Sequence, residues 1–261
     1  MTPLQLTRRR PEVVAGLLAA AALAWWWTAR RMSGMGASPG TDLGTLGWFT
    51  GSWAVMMAAM MLPSLAPTLA LYVTPSPGRM SIRSLLFACS YLLVWTAAGV
   101  LAYGVFELGK SLLASELAWN RGGRWLSGSV LAAAAAYEFV PLKHACMAKC
   151  RGQRANPAGA SQESWSATLL MGARSGGWCI GSSWALMAAL FALGVMSLTW
   201  MALIAALVVF EKLGPWPRAA SVATAVVLIA LTVGIVISPH EVPGLVVPGS
   251  HTAMHAMKAM S

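Results

Sequence analysis

The sequence predicts an all-α membrane protein, a polytopic helical bundle of about six to seven transmembrane helices. Of its 261 residues, 57% are apolar and only 10% are charged, which is more apolar surface than one soluble core can enclose. The mean hydropathy is +0.65. The net charge of +10 is spread between the apolar runs instead of lying on one face, so it marks membrane topology. The lipid bilayer is therefore the first predicted partner, and no nucleic-acid partner is expected.

Seven apolar stretches divide the chain, and a bilayer crossing needs about 20 such residues. The sixth stretch is short, and only a turn around Ser197–Thr199 separates it from the fifth, which predicts a tight helical hairpin. The transmembrane helical domain is thus predicted over 12–238, with an amino-terminal segment 1–11 and a tail 239–261. The seven stretches span 12–31, 48–73, 84–107, 124–141, 178–197, 199–213 and 219–238.

The basic residues predict a cytoplasmic amino terminus and an exported tail. With this orientation, twelve of the eighteen Lys and Arg residues lie on the cytoplasmic side, as the positive-inside rule requires. Arg8–Arg10 precede the first stretch, as in a signal peptide. However, Trp25–Trp27 with Arg30 and Arg31 close that stretch in place of a small-residue cleavage site. We therefore predict a retained first helix.

The segment Tyr137–Arg151 places two thiols and an imidazole just beyond the fourth apolar stretch. Cys146 and Cys150 are four residues apart, so on a helix both sulfurs face one side, and His144 is close in sequence. These soft and borderline ligands suit Cu(I) or Zn(II). Cytosolic thiols are kept reduced, so a structural disulfide is not expected here. A thiol pair activated by neighbouring basic residues, with no metal, is the alternative.

Two further candidate ligands belong to neighbouring apolar stretches. Cys179 opens the fifth stretch, within a glycine-rich run (172–181) whose spacing lets helices approach closely. Such an approach could bring Cys179 to Cys146. Glu138 lies one turn inside the inner end of the fourth stretch, where an ionisable side chain is costly and therefore a candidate metal ligand or proton acceptor. An ion pair with a basic side chain at the interface is the alternative for Glu138.

The second apolar stretch carries a stripe of methionines. Met56 and Met60 are four residues apart, as are Met57 and Met61, so each pair lies on one side of a helix. Thioethers bind Cu(I) and bind hard ions poorly. The stripe is thus a candidate copper pathway. Gap-filling packing, the ordinary role of buried methionine, is the alternative.

The carboxyl-terminal tail combines imidazoles with thioethers, because His251, Met254 and His255 lie within five residues. This combination favours copper over zinc, which would bind at the histidines alone. We expect the tail to capture copper and pass it to the methionine stripe. The predicted topology separates the tail from the inner-face cysteines, so the two groups cannot share one ion. A solvated, unstructured terminus is the alternative.

Five segments resemble, in order and spacing, the signatures of a bacterial family of predicted metal-binding integral membrane proteins of unknown function. The resemblance implies a location in the bacterial inner membrane and a bound metal. The chain departs from the family where Ser182 and Ser183 replace consecutive cysteines, and where Glu138 replaces a glutamine. The segments, within roughly residues 45–235, are Trp53–Ser64, Tyr137–Arg151, Gly177–Met187, Gly194–Met201 and Glu211–Leu213.

Metal handling is the function that these patterns favour, with copper as the metal, and binding, delivery and relay remain open. The sequence contains no Gly-rich phosphate loop, no Ser-His-Asp arrangement and no pair of catalytic carboxylates, so hydrolase or NTPase activity has little support. Whether the protein is an enzyme stays open, and a non-enzymatic role is favoured. A metal-bearing or accessory subunit of a membrane metallo-oxidoreductase is one alternative, and a transporter or channel is another. Besides the bilayer, the expected partners are other membrane or periplasmic metalloprotein subunits.

Overall fold

The computed structural model describes residues 11–32, 43–72, 82–113, 122–152, 164–195 and 197–237. These residues form eight α-helices and no strand, which confirms the predicted all-α class. In chain order the helices are α1 (Pro11–Met32), α2 (Leu46–Tyr72), α3 (Ile82–Leu113), α4 (Arg124–Tyr137), α5 (Pro141–Gly152), α6 (Trp165–Leu193), α7 (Leu198–Leu213) and α8 (Pro217–Ile237).

Four of the described helices are long and apolar enough to cross a membrane, by the criteria of length and composition. The broken pair of α4 and α5 makes a fifth candidate if it is counted as one span. At 16 residues, α7 is about 24 Å long and shorter than the bilayer core of about 30 Å. The described helices are compatible with a multi-pass membrane protein, with four or five candidate spans where the sequence predicted six to seven. The four are Leu46–Ala66, Ile82–Leu112, Trp165–Leu193 and Pro217–Ile237.

The predicted boundaries of the fifth and fourth stretches were wrong. The fifth stretch was expected over 178–197, but α6 begins 13 residues earlier, at Trp165, so Cys179 lies in the middle of this helix. Arg174 and the neighbouring glycines and serines lower the hydropathy there without interrupting the helix. The fourth stretch was expected to continue to residue 141, but α4 ends at Tyr137 and α5 begins at Pro141. Proline disfavours a helical conformation in the residue before it and is well suited to the first turn of a new helix.

The chain divides into two compact units. In the second unit, α4 and α7 both pack on α8, and a Cβ at Gly128 of α4 would lie 2.8 Å from Val236 Cγ2. Gly194 ends α6 with a φ of 109°, a conformation that L side chains rarely adopt, and the chain then turns into α7. The first unit comprises the described residues of Met1–Thr28, Leu46–Leu101 and Pro141–Ser182, and the second those of Ala29–Thr45, Ala102–Val140 and Ser183–Ser261.

Two tryptophan hydrogen bonds, one part-buried and one buried, connect α1, α2 and α3 in the first unit. Trp25 Nε1 of α1 donates a hydrogen bond to the Ala59 carbonyl of α2 at 3.1 Å. Trp53 Nε1 of α2 donates to the Trp95 carbonyl of α3 at 2.9 Å. The Trp53 indole occupies the space that a side chain at Gly99 would need. These contacts fix α2 against α3 close to the methionine stripe.

Candidate metal centre

The methionine stripe lies in the core of α2. Met56, Met57, Met60 and Met61 each expose no more than 2% of their surface. Both four-residue pairs lie within one continuous helix, as the spacing predicted. Ser64 Oγ donates a hydrogen bond to the Met61 carbonyl at 2.8 Å, so this hydroxyl is satisfied within its own helix. The four thioethers of the stripe are therefore buried inside the protein and do not lie on its surface.

The thiol of Cys179 meets the end of this stripe. Its Sγ lies 4.0 Å from Met61 Sδ, in a contact in which the thiol donates to the thioether. Tyr91 Oη of α3 donates a hydrogen bond to the same Sγ at 2.8 Å. All three side chains are at most 2% exposed. Three helices thus bring a phenol, a thiol and a thioether into one buried chain of contacts.

Glycines on α6 allow this close approach. A Cβ at Gly176 would lie 3.1 Å from the Tyr91 carbonyl oxygen and 3.1 Å from Val94 Cβ. A Cβ at Gly172, one turn earlier, would overlap Ser90 Oγ and lie 2.5 Å from the Phe87 carbonyl oxygen. Small residues four apart are a common means of close helix contact in membranes. They place α6 directly on the backbone of α3, and Cys179 follows within one turn.

The two cysteines of α5 differ in their surroundings. Cys146 is buried and its Sγ packs on α6, where a Cβ at Gly181 would lie only 2.7 Å away. Cys150 is half-buried, and His144 is exposed. His144 and Cys146 are two residues apart, so they point to nearly opposite sides of α5. The structure thus brings Cys146 to the wall of α6 that carries Cys179, and His144 does not accompany it.

A cation–π contact joins α5 and α6 close to these thiols. Lys149 Nζ lies 4.1 Å from the centroid of the Trp178 ring, well inside the range for such contacts. Trp178 is adjacent to Cys179, and Lys149 is adjacent to Cys150. The contact therefore links the two helix segments that carry these cysteines.

Glu138 occupies the break between α4 and α5 and is fully buried. Its backbone N–H donates to the Ala135 carbonyl at 3.2 Å, so it closes the last turn of α4. It belongs to the second unit, in which Glu211 and Lys212 of α7 are also buried. The candidate tail ligands His251, Met254 and His255 lie outside the described residues.

Tyr91 is the site residue that the sequence reasoning missed. It is a single phenol in a long apolar helix, and periodicity alone does not separate it from packing side chains. Among the described residues, no group of three or more His, Cys, Asp and Glu side chains could hold a metal ion. The sulfur pair of Cys179 and Met61 combines a thiol with a thioether, which is outside these four residue types.

Residues 50–235 match the model of a protein family described as PpoB2 copper chaperones. Described residues that are all-helical, with several membrane-length apolar helices and a buried contact between a thiol and a thioether, agree with that description. The match covers well over half of the chain, so this protein belongs to the PpoB2 copper chaperone family. The metal-binding family expected from the sequence is consistent with this assignment. Neither the curated proteins nor the solved structures contain a match.

Proposed function

We propose that this protein is a membrane copper chaperone that holds Cu(I) between Cys179 and Met61. The observation that carries the proposal is the 4.0 Å separation between Cys179 Sγ and Met61 Sδ, buried at the end of a methionine stripe. A thiolate and a thioether are both soft ligands, which suit Cu(I). The description of the family supports copper as the cargo.

The spacing of the two sulfurs fits a shared metal ion. With metal–sulfur bonds of about 2.3 Å, as in zinc thiolates, and an angle of about 120° between them, two sulfurs stand about 4.0 Å apart. The separation found here is 4.0 Å, so one ion could contact both sulfurs. Met57 lies one turn before Met61 on the same side of α2 and is a candidate for a further thioether.

Copper enters and leaves this pair by ligand exchange. On entry, the bond from Cu(I) to a thioether of the stripe breaks, a new bond forms to Cys179 Sγ, and the thiol proton is released to solvent. On delivery, an acceptor thiol meets the copper-loaded Cys179, the bond from Cu(I) to Cys179 Sγ breaks, and a new bond forms to the acceptor sulfur. The proton of the acceptor thiol passes to Cys179, so charge and atoms balance without any oxidation.

The other candidate ligands are proposed as entry and exit points for copper. With the amino terminus in the cytoplasm of the bacterial inner membrane, the exported tail captures the ion through His251, Met254 and His255. The methionine stripe conducts it to Cys179, and the Cys146–Cys150 pair on α5 receives it on the inner side. His144, exposed on the opposite side of α5 from Cys146, is a separate candidate ligand there. Glu138 is proposed as a proton acceptor at the helix break. Because the ion leaves on the inner side, the proposed recipients are other membrane metalloprotein subunits. Zinc is expected to bind more weakly than copper.

Copper titration of the full-length protein in detergent tests the sulfur pair. The variants Cys179→Ser and Met61→Leu are titrated with Cu(I) under anaerobic conditions, in competition with a chromogenic chelator. Removing a residue that is hydrogen-bonded to a metal ligand typically weakens metal affinity by about 10–100-fold. The copper affinity of each variant should fall by more than this, because each one removes a ligand. Cys89→Ser, at an exposed thiol of α3, and Met201→Leu, at a fully buried methionine of α7, are the matched controls. Wild-type affinity in both test variants would refute the proposal.

A further inference from the structure

We propose that Tyr91 acts as an outer-shell residue that tightens the hold of Cys179 on copper, by donating its phenol hydrogen bond to the metal-bound sulfur. The inference rests on the proposed function and concerns a positioning residue, not a ligand. Tyr91 Oη lies 2.8 Å from Cys179 Sγ, and the side chain is 2% exposed. A Cβ at Gly176 of α6 would lie 3.1 Å from the Tyr91 carbonyl oxygen, so the two helices approach closely at this residue.

The hydrogen bond favours the copper-loaded state over the empty state. In the metal-free chain the phenol donates to a neutral thiol, which is a weak acceptor. A copper-bound thiolate carries negative charge, and hydrogen bonds to charged acceptors are roughly twice as strong as those between neutral groups. Outer-shell partners of metal ligands are typically worth about 10–100-fold in metal affinity. Tyr91 should contribute within this range.

The hydrogen bond also bears on passage of the ion to the thiols of α5. Cys146 of that helix packs its Sγ on Gly181 of α6, the helix that carries Cys179. By stabilising copper on Cys179, Tyr91 slows passage of the ion to the cysteines of α5.

The variant Tyr91→Phe removes the hydroxyl and keeps the ring. With full-length protein in detergent and Cu(I) alone as the probe, this variant should still bind copper, with about 10–100-fold weaker affinity and faster release to a chelator. Tyr103→Phe is the matched control, because Tyr103 is on the same helix and donates to the Gly44 carbonyl at 3.0 Å instead of to sulfur. Unchanged affinity in Tyr91→Phe overturns the inference. Failure of the wild-type protein to bind copper overturns the proposed function instead.

A second measurement uses the wild-type fold and stays decisive if Tyr91→Phe does not fold. The chain has four tyrosines, so fluorotyrosine labelling gives four ¹⁹F resonances. Phenylalanine replacements at Tyr72, Tyr103 and Tyr137 identify the resonance of Tyr91 by elimination. Cu(I) should shift that resonance, and Cys179→Ser should abolish the shift. A Tyr91 resonance that does not respond to copper in the wild-type protein contradicts the inference.

Discussion

The close contact between α3 and α6 should control both stability and copper affinity, and Gly172→Ala tests this directly. The new Cβ would lie 2.5 Å from the Phe87 carbonyl oxygen, whereas ordinary contacts begin at 3.4 Å. The two backbones must therefore separate by about 0.9 Å, and a side-chain rotation cannot relieve the clash because the Phe87 atom belongs to the main chain. Overpacking of this kind costs about 1–3 kcal/mol. Because Tyr91 and Cys179 lie on the same two helices, we also expect weaker copper binding.

Gly177→Ala is the matched control for Gly172→Ala. Gly177 is on the same helix, and a Cβ there meets nothing within 4 Å. The assays are thermal unfolding in detergent and Cu(I) competition with a chelator, both on full-length protein. Gly172→Ala should lower the unfolding temperature and the copper affinity, and Gly177→Ala should change neither. Equal behaviour of the two variants would show that the helix contact does not position the sulfur pair.

Three further predictions concern the proposed path of the ion. The double variant Cys146→Ser with Cys150→Ser should keep copper bound at Cys179 and slow its transfer to a chelating acceptor, as measured by stopped-flow. An unchanged transfer rate would exclude the α5 thiols from the path of the ion. Deletion of 250–261 should reduce copper loading at limiting metal and leave the unfolding temperature unchanged, since a polar terminus is expected to contribute little buried area. Equal copper loading of the truncated and full-length proteins would show that the tail has no role in capture. A cysteine introduced at Ser250 should react with a membrane-impermeant reagent added from outside, and labelling from the cytoplasm alone would reverse the proposed topology.

The sequence predicted the helical class and the methionine stripe because both depend on local pattern. The apolar composition of the chain requires an apolar environment, which predicts membrane helices. Met57 and Met61 are four residues apart and lie on one side of α2, whichever helices α2 packs against. The break before Pro141 was also readable, since proline disfavours helix in the preceding residue. The alanine run before Glu138 favours helix and concealed that signal.

The pairing of Cys179 with Met61 was beyond the reach of sequence reasoning. The two residues are 118 positions apart, and only the packing of α6 on α2 and α3 brings their sulfurs together. Periodicity identifies the buried face of a helix but not the helix that it meets. Tyr91 was missed for the same reason, because its hydrogen bond crosses 88 positions. The glycines at 172 and 176 signalled close packing, although not their partner on α3.

X-ray absorption at the copper edge, on a variant that keeps Cys179 as its single cysteine, tests the central claim most directly. Replacing Cys89, Cys146 and Cys150 by serine leaves one thiol, and any thiolate signal must then come from Cys179. The account predicts one bound Cu(I) per chain with sulfur neighbours at about 2.3 Å. Changing Met61 to leucine in the same background should remove one sulfur from that shell. A copper shell made of nitrogen and oxygen alone, or no bound copper, would contradict the assignment of Cys179 and Met61 as the copper site.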